Sequence, residues 1–255
     1  MTYSHDVFAV DFDGVLCDSA AETGVTAWRA GGQVWPAWHG PEPPSEYLRR
    51  FINLRPVVET GYQAVLLMRL IYTGVEDETI ELQFPELCTS LLDESEYSAA
   101  DLVRLFSQAR DTWIDRDLDD WLDRHRFYVG VVETFAARVE SDPVFILTTK
   151  QERSVRILLH SRGIHLPADR IFGLDAGKSK ENVLEQLSRR PEFDGNRFHF
   201  VEDRLQTLIR IAGRSSLRDV LLYLVDWGYN TPRDREKAKL IPRITIWDSC
   251  AFLDV

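Results

Sequence analysis

Two aspartates separated by one residue, Asp11 and Asp13, follow the apolar run Val7-Phe8-Ala9-Val10 and stand directly before Gly14. If the strand geometry persists, residues two apart point to the same side, and the glycine lets the backbone turn tightly just beyond them. Carboxylates paired in this way can bind a hard cation such as magnesium through oxygen. One of them can also attack phosphorus as a nucleophile. Taken alone, the same residues suit an ordinary turn with an Asx-type hydrogen bond, where Asp-Gly is common. The pair therefore needs support from the rest of the chain.

That support begins with the elements that would have to position it. Val7 to Val10 reads as a buried strand running into a sharp turn. Three further apolar runs end in polar residues: Val144-Phe145-Ile146-Leu147 before Thr148-Thr149-Lys150, Phe198-His199-Phe200-Val201 before Glu202-Asp203, and Val220-Leu221-Leu222-Tyr223-Leu224-Val225 before Asp226-Trp227-Gly228. Ile244-Thr245-Ile246-Trp247 is a candidate fifth strand. Helical patterns lie between them at about 152–162, closed by Gly163, at 180–188, and at 205–212, closed by Gly213. Strands alternating with helices predict an α/β, Rossmann-like parallel sheet with helices on both faces. In such sheets ligands bind at the carboxyl ends of the strands, where all these polar residues fall.

Residues 20–127 read differently. Pro36, Pro41, Pro43 and Pro44 break up the start, and two long helical patterns follow, around 57–72 and 99–123. The second opens on Ser98-Ala99-Ala100-Asp101, which has the form of a capping box. The expectation is a mostly helical domain, 20–127, inserted into a discontinuous core made of 1–19 and 128–255.

The stretch from Phe8 to Ser19, with its Asp11-Phe12-Asp13-Gly14-Val15-Leu16-Cys17-Asp18-Ser19, resembles the first signature of the haloacid dehalogenase-like superfamily. The other three signatures have counterparts in the right order: Phe145-Ile146-Leu147-Thr148, then Lys180 before Glu181-Asn182-Val183-Leu184, then Phe200-Val201-Glu202-Asp203. The resemblance implies that Asp11 is a nucleophile that accepts a phosphoryl group. It implies that Asp13 protonates the leaving oxygen and then activates water, which requires it to carry a proton part of the time. Magnesium would be held by Asp11, the backbone carbonyl of Asp13, and Asp203, while Thr148 and Lys180 hold the phosphoryl oxygens. Dehalogenases lack an acid at the second position and P-type pumps carry threonine there, so Asp13 favours phosphate-ester chemistry.

Several assignments keep a competitor. Thr148 is preferred to Thr149, because Thr149 with Glu152 reads as a capping box of the next helix. Lys180 is preferred to Lys178. The signature often has a further acid four residues after the metal aspartate; here that position is Thr207, so Glu202 or water would complete the metal sphere. Tyr128-Val129-Gly130-Val131 and Tyr223-Leu224-Val225-Asp226-Trp227-Gly228-Tyr229 resemble segments of phosphoglycolate phosphatase-like members, which carry a helical type-one cap, and phosphoglucomutases of the beta type share the first. Within the insertion, Arg55, Glu59 and Tyr62 are candidate substrate contacts, Arg55 through its bidentate fork; the plain alternative is a solvated loop-to-helix entry. Trp28, Trp35, Trp38, Trp113 and Trp121 are expected to pack the insertion, with Trp113 and Trp121 on one helix face. His199 reads as structural, and the acidic run 115–123 as a solvated helix face.

Composition sets the outer bounds. The chain has 255 residues, 44% of them hydrophobic, and a formal net charge of −11. So acidic a protein is not built for nucleic acid, and an anionic substrate must be met by local cations, a metal or backbone N–H groups. Cys17, Cys88 and Cys250 form neither a disulfide framework nor a zinc pattern. No membrane-length apolar run is present, and residues 1–6 lack a signal-type leader, so the expectation is a cytoplasmic protein, monomer or homodimer. The implied activity is that of a magnesium-dependent phosphatase acting on a small phosphorylated metabolite. A phosphoglucomutase-like phosphotransferase and a silent phospholigand-binding protein are the alternatives.

Overall fold

The structure, a computed structural model, describes residues 6–38, 40–249 and 252; Cys250 and the first five residues lie outside them. The chain divides into two compact units, one formed by Met1–Asp18 with Phe127–Val255 and the other by Ser19–Arg126.

The first unit is built on a six-stranded parallel sheet. In chain order its strands are β1 (Asp6–Val10), β4 (Val144–Leu147), β5 (Ile171–Phe172), β6 (Arg197–Glu202), β7 (Leu221–Val225) and β8 (Ile244–Trp247). The two-residue strands β2 (Cys17–Asp18) and β3 (Arg126–Phe127) lie where the chain passes from one unit to the other. Across the sheet the order is β5-β4-β1-β6-β7-β8. The chain thus builds outward from β1 on one side, then returns to build on the other, and the switch falls at β1. Register places Val10 against Ile146 of β4 and Val201 of β6. The ends of these three strands are therefore level, and the residues just beyond them come together.

Five helices join the strands: α7 (Val131–Ser141), α8 (Glu152–His160), α9 (Lys180–Ser188), α10 (Leu205–Ala212) and α11 (Pro232–Lys239). Val7 and Ala9 of β1 point to the face covered by Val183, Leu184 and Leu187 of α9 and Leu208 and Ile211 of α10. Phe8, with the opposite parity, stacks on His199, and the Arg138 guanidinium of α7 lies 4.2 Å over its ring. Both faces of the sheet are thus covered, as a parallel sheet requires. His199 is buried, with Nδ1 3.0 Å from the Tyr223 hydroxyl and Nε2 3.3 Å from Asp6, so it is a packing residue. The edge strand β5 escaped sequence reading because two residues carry no periodicity.

The second unit is helical: α1 (Ala20–Gly31), α2 (Ser45–Leu54), α3 (Gly61–Tyr72), α4 (Asp77–Asp93), α5 (Ala99–Arg116) and α6 (Leu118–Asp123). Its core joins Trp28 and Trp38, stacked at 4.8 Å, to Phe51, Leu66, Met68, Ile71 and Phe106. Two expected helices need correction. The pattern over 57–72 becomes a 3-10 turn at Arg55–Val57, an extended Val58, and a helix that starts only after Thr60, whose N–H donates to Gln63 Oε1 at 3.2 Å. The pattern over 99–123 breaks at Asp117, whose non-helical backbone ends α5 and whose side chain caps α6 by accepting from Asp120 N–H. Trp113 and Trp121 consequently sit on different helices, both buried. The Ser98–Asp101 capping box forms as expected. Among the described residues no helix is long and apolar enough to cross a membrane.

Candidate active site

Asp11 is the first residue beyond β1, and its N–H donates to Val201 O of β6 at 2.9 Å. The sheet ladder thus sets where its side chain begins. The carboxylate is buried: Oδ1 accepts from Phe12 N–H at 2.8 Å, and Oδ2 lies 2.9 Å from Lys180 Nζ. The turn that follows is closed by Gly14 N–H donating to Cys17 O at 2.8 Å. Gly14 has φ +85°, and a Cβ there would fall 2.0 Å from Asp203 Oδ2. Backbone conformation and the neighbouring carboxylate both demand glycine.

Lys180 opens α9, whose N-cap Ser179 accepts from Asn182 N–H. Its ammonium sits between Asp11 and Glu202, 2.7 Å from Glu202 Oε2. Lys178 instead is exposed and donates to Gln186 at 3.1 Å. Of the two competing lysines, only Lys180 reaches the carboxylates. Glu202 ends β6 and is fully buried, its Oε1 accepting from Arg204 N–H at 3.1 Å. Asp203, also buried, accepts from Tyr229 N–H at 2.7 Å through Oδ2. Thr207 is buried and its hydroxyl accepts from Arg210 at 3.2 Å.

Asp13 faces a different cation. Lys150 Nζ lies 3.2 and 3.4 Å from its two oxygens. Thr148, just past β4, is buried, and its Oγ1 accepts from Lys150 N–H at 3.2 Å; Thr149 is exposed. The capping box expected from Thr149 and Glu152 does not form. The N-cap of α8 is Gln151, and Glu152 N–H is capped by Asp175 Oδ2 at 3.0 Å from the loop after β5. A distant acceptor supplies what local spacing suggested.

Burial dominates the electrostatics. It pushes the Asp11 carboxyl up to about 7, helped by the charge of Glu202 and opposed by Lys180. Glu202 is pushed up to about 6, again by burial first. Burial and Asp11 raise Asp203. Burial works against the charge on Lys180, but Asp11 and Glu202 outweigh it and raise its pKa above the ordinary lysine value. Two of the three buried carboxylates, Asp11 and Glu202, thus share one ammonium.

Asp11, Glu202 and Asp203 can each offer an oxygen within 4.8 Å of the others. Asp203 Oδ1 is buried with no hydrogen-bond partner, an arrangement that is costly unless something positive meets it. An all-oxygen donor set with surplus negative charge and an orphaned oxygen fits a hard divalent cation.

The fold has counterparts among solved structures. A haloacid dehalogenase-like family hydrolase from Streptococcus pneumoniae superposes with a TM-score of 0.57 at 13% identity, covering 100% of this chain and 99% of that one. The chain has the haloacid dehalogenase-like fold. A predicted phosphoglycolate phosphatase from Haemophilus somnus is similar over 100% of this chain and 97% of its own, with a TM-score of 0.56 and 16% identity. Protein tyrosine kinase A of Mycobacterium tuberculosis is similar at a TM-score of 0.50 and 18% identity, covering 90% of this chain and 88% of that one. A hydrolase and a kinase are both similar to this chain in structure, so its chemistry has to be argued from the site. No family model and no curated protein matches the sequence.

Arg55, Glu59 and Tyr62 belong to the second unit. Arg55 is buried and donates to Val58 O at 2.7 Å, Glu59 N–H donates to Gln63 at 2.7 Å, and Tyr62 packs against that unit's apolar core. Sequence reading had no role for Lys150, although a lysine at the polar end of a strand was a visible signal. It also had no role for the loop after β7 that grips Asp203. There Asn230 Nδ2 donates to Asp203 O at 2.9 Å and to Val225 O at 2.7 Å, and the Tyr229 hydroxyl donates to Asp18 at 2.7 Å. A Cβ on Gly228 would fall 2.3 Å from Asp203 Cβ.

Proposed function

We propose that this protein is a magnesium-dependent phosphohydrolase that cleaves a small phosphorylated metabolite by way of a phosphoryl group carried on Asp11. The observation that carries the reading is the buried cluster in which the Asp11 carboxylate lies 2.9 Å from Lys180 Nζ and close to Glu202 and Asp203. A nucleophilic carboxylate next to one ammonium and a cation-ready pair of acids suits transfer of a multiply charged phosphoryl group.

In this reading Asp11 presents an oxygen to phosphorus from a fixed position, because its backbone is held in the sheet ladder. Lys180, poised between Asp11 and Glu202, binds phosphoryl oxygens, and the buried Thr148 hydroxyl supplies a second polar contact. Asp13 gives a proton to the leaving oxygen and takes one back from the water that releases phosphate from Asp11. Magnesium held by Asp11, Glu202 and Asp203 would offset the charge of the phosphoryl group. Burial of the cluster strengthens each of these interactions by excluding bulk water.

The test is phosphate release from a panel of phosphorylated metabolites with magnesium, for wild type and Asp11→Asn. Stoichiometric phosphate from wild type, and none from the variant, is expected. Phosphate moved between organic molecules without release would make the protein a phosphotransferase. Magnesium binding without turnover of any ester would leave only a phospholigand-binding protein.

A further inference from the structure

We propose that Lys150 is the positioning residue for Asp13, aiming its carboxyl group at the leaving oxygen and then at the attacking water. The inference rests on the phosphohydrolase reading. The two aspartates of the turn are served by different lysines: Asp11 by Lys180, at 2.9 Å, and Asp13 by Lys150, at 3.2 and 3.4 Å from its two oxygens. Near-equal distances mean that the ammonium faces both oxygens of the carboxyl group, which fixes its orientation.

The lysine is itself held. Its side chain is 0% exposed, whereas that of Asp13 is 15% exposed. Its N–H donates to Thr148 Oγ1 at 3.2 Å, and its carbonyl accepts from Leu174 N–H at 3.0 Å. A Cβ on Gly173 would fall 2.5 Å from that carbonyl, so the backbones are in close contact. Immobilising and desolvating a lysine is costly, and here the immobilised ammonium reaches the more solvent-exposed aspartate of the pair. Lys180 thus attends the phosphoryl side of the reaction and Lys150 the leaving-group side.

The steps balance. As the Asp11–phosphorus bond forms, the bond from phosphorus to the ester oxygen breaks. The electron pair goes to that oxygen, which takes the Asp13 proton. Water then attacks phosphorus and gives a proton to Asp13. The Asp11–phosphorus bond breaks, and Asp11 and Asp13 return to their starting states with phosphate released. Lys150 exchanges no proton; it stabilises and orients the carboxylate that exists between the two steps.

The experiment compares wild type, Lys150→Met, Lys150→Arg, Asp13→Asn and the Lys150→Met/Asp13→Asn double variant, with magnesium, on esters from dinitrophenyl phosphate to simple alkyl phosphates. The readout is kcat/KM, which reports transfer to Asp11. Poor leaving groups need the proton and good ones do not. Lys150→Met is therefore expected to lose on the order of 10²-fold on alkyl phosphates and less than about 3-fold on dinitrophenyl phosphate. Lys150→Arg should recover part of the alkyl-phosphate rate, and Lys150→Met should cost nothing further once Asp13 is Asn. Equal losses across the ester series, or additive losses in the double variant, would overturn the proposal. Thermal melts check folding, and Lys150→Gln replaces Lys150→Met if the latter does not fold. If wild type is inactive on every ester, the phosphohydrolase reading fails and this inference with it; if wild type is active and Lys150→Met is unchanged, only this inference fails.

Discussion

Each unit of the molecule buries acidic groups with cationic partners, and the two treat them in opposite ways. In the helical unit Glu22 is fully buried on α1, and Arg110 of α5 meets it with two bonds, Nε to Oε1 at 2.8 Å and Nη2 to Oε2 at 2.9 Å. Thr26 Oγ1 and Trp121 Nε1 donate to Oε1 at 2.7 and 3.2 Å, and His125 Nε2 lies 3.8 Å from Oε2. One acid is matched by one guanidinium and both oxygens are served. In the α/β unit Asp11 and Glu202 share the Lys180 ammonium, and the neighbouring Asp203 Oδ1 has no hydrogen-bond partner. A buried charge that only holds helices together is fully answered, because an unanswered one costs several kcal/mol. Carboxylates left with surplus charge at the edge of a sheet are the mark of a site meant to receive something positive.

The contrast breaks most sharply in the helical unit. Arg110→Met would strand Glu22 without its charge partner, and urea denaturation should show a loss of about 3–5 kcal/mol. Magnesium should act on the other unit: at a hundredfold excess over its dissociation constant it should add about 2.7 kcal/mol to wild-type stability. That gain should vanish in Asp203→Asn, as measured by metal-dependent melting. Without magnesium the same variant relieves like-charge crowding, and a gain of about 1 kcal/mol is expected. An Asp203→Asn protein that is both less stable in chelator and still stabilised by magnesium would remove the distinction between the two regions.

Proton linkage sharpens the comparison further. The Asp11 and Glu202 carboxyls are raised to about 7 and about 6, above their ordinary values. A carboxyl raised in the folded state binds its proton more tightly there than in the unfolded chain. It therefore destabilises the fold above its folded pKa, and stability returns as pH falls through that value. In chelator, stability measured by urea denaturation should rise from pH 8 to about pH 5.5, and saturating magnesium should flatten the rise. The smallest effect is expected at the lysine that does not reach the cluster: Lys178→Met should change stability by less than about 0.5 kcal/mol and leave magnesium affinity unaltered, while Lys180→Met alters both.

Much of the α/β unit was legible in the chain. Four apolar runs and a candidate fifth became β1, β4, β6, β7 and β8, because a strand buried on both faces writes itself as a short apolar run with a polar end. The starts of α9 and α5 were legible too, since Ser179 and Ser98 cap locally. Helix α8 shows the limit: Thr149 and Glu152 had the right spacing for a capping box, yet the acceptor on Glu152 N–H comes from Asp175, 23 residues away. The break at Asp117 was hidden for a related reason, because apolar periodicity continues across it while the backbone does not.

By itself, then, the sequence determined which residues stand at strand ends and helix starts: Asp11, Asp13, Thr148, Lys180, Glu202 and Asp203. These depend on periodicity and capping within a few residues. Only the tertiary structure decided which charge meets which. Lys150 finds Asp13 across 137 positions, and Arg110 finds Glu22 across 88. Nothing in local spacing encodes such pairs, because ion partners are chosen by the register of the sheet and the packing of helices, where a buried charge must find its counterpart or be left without one.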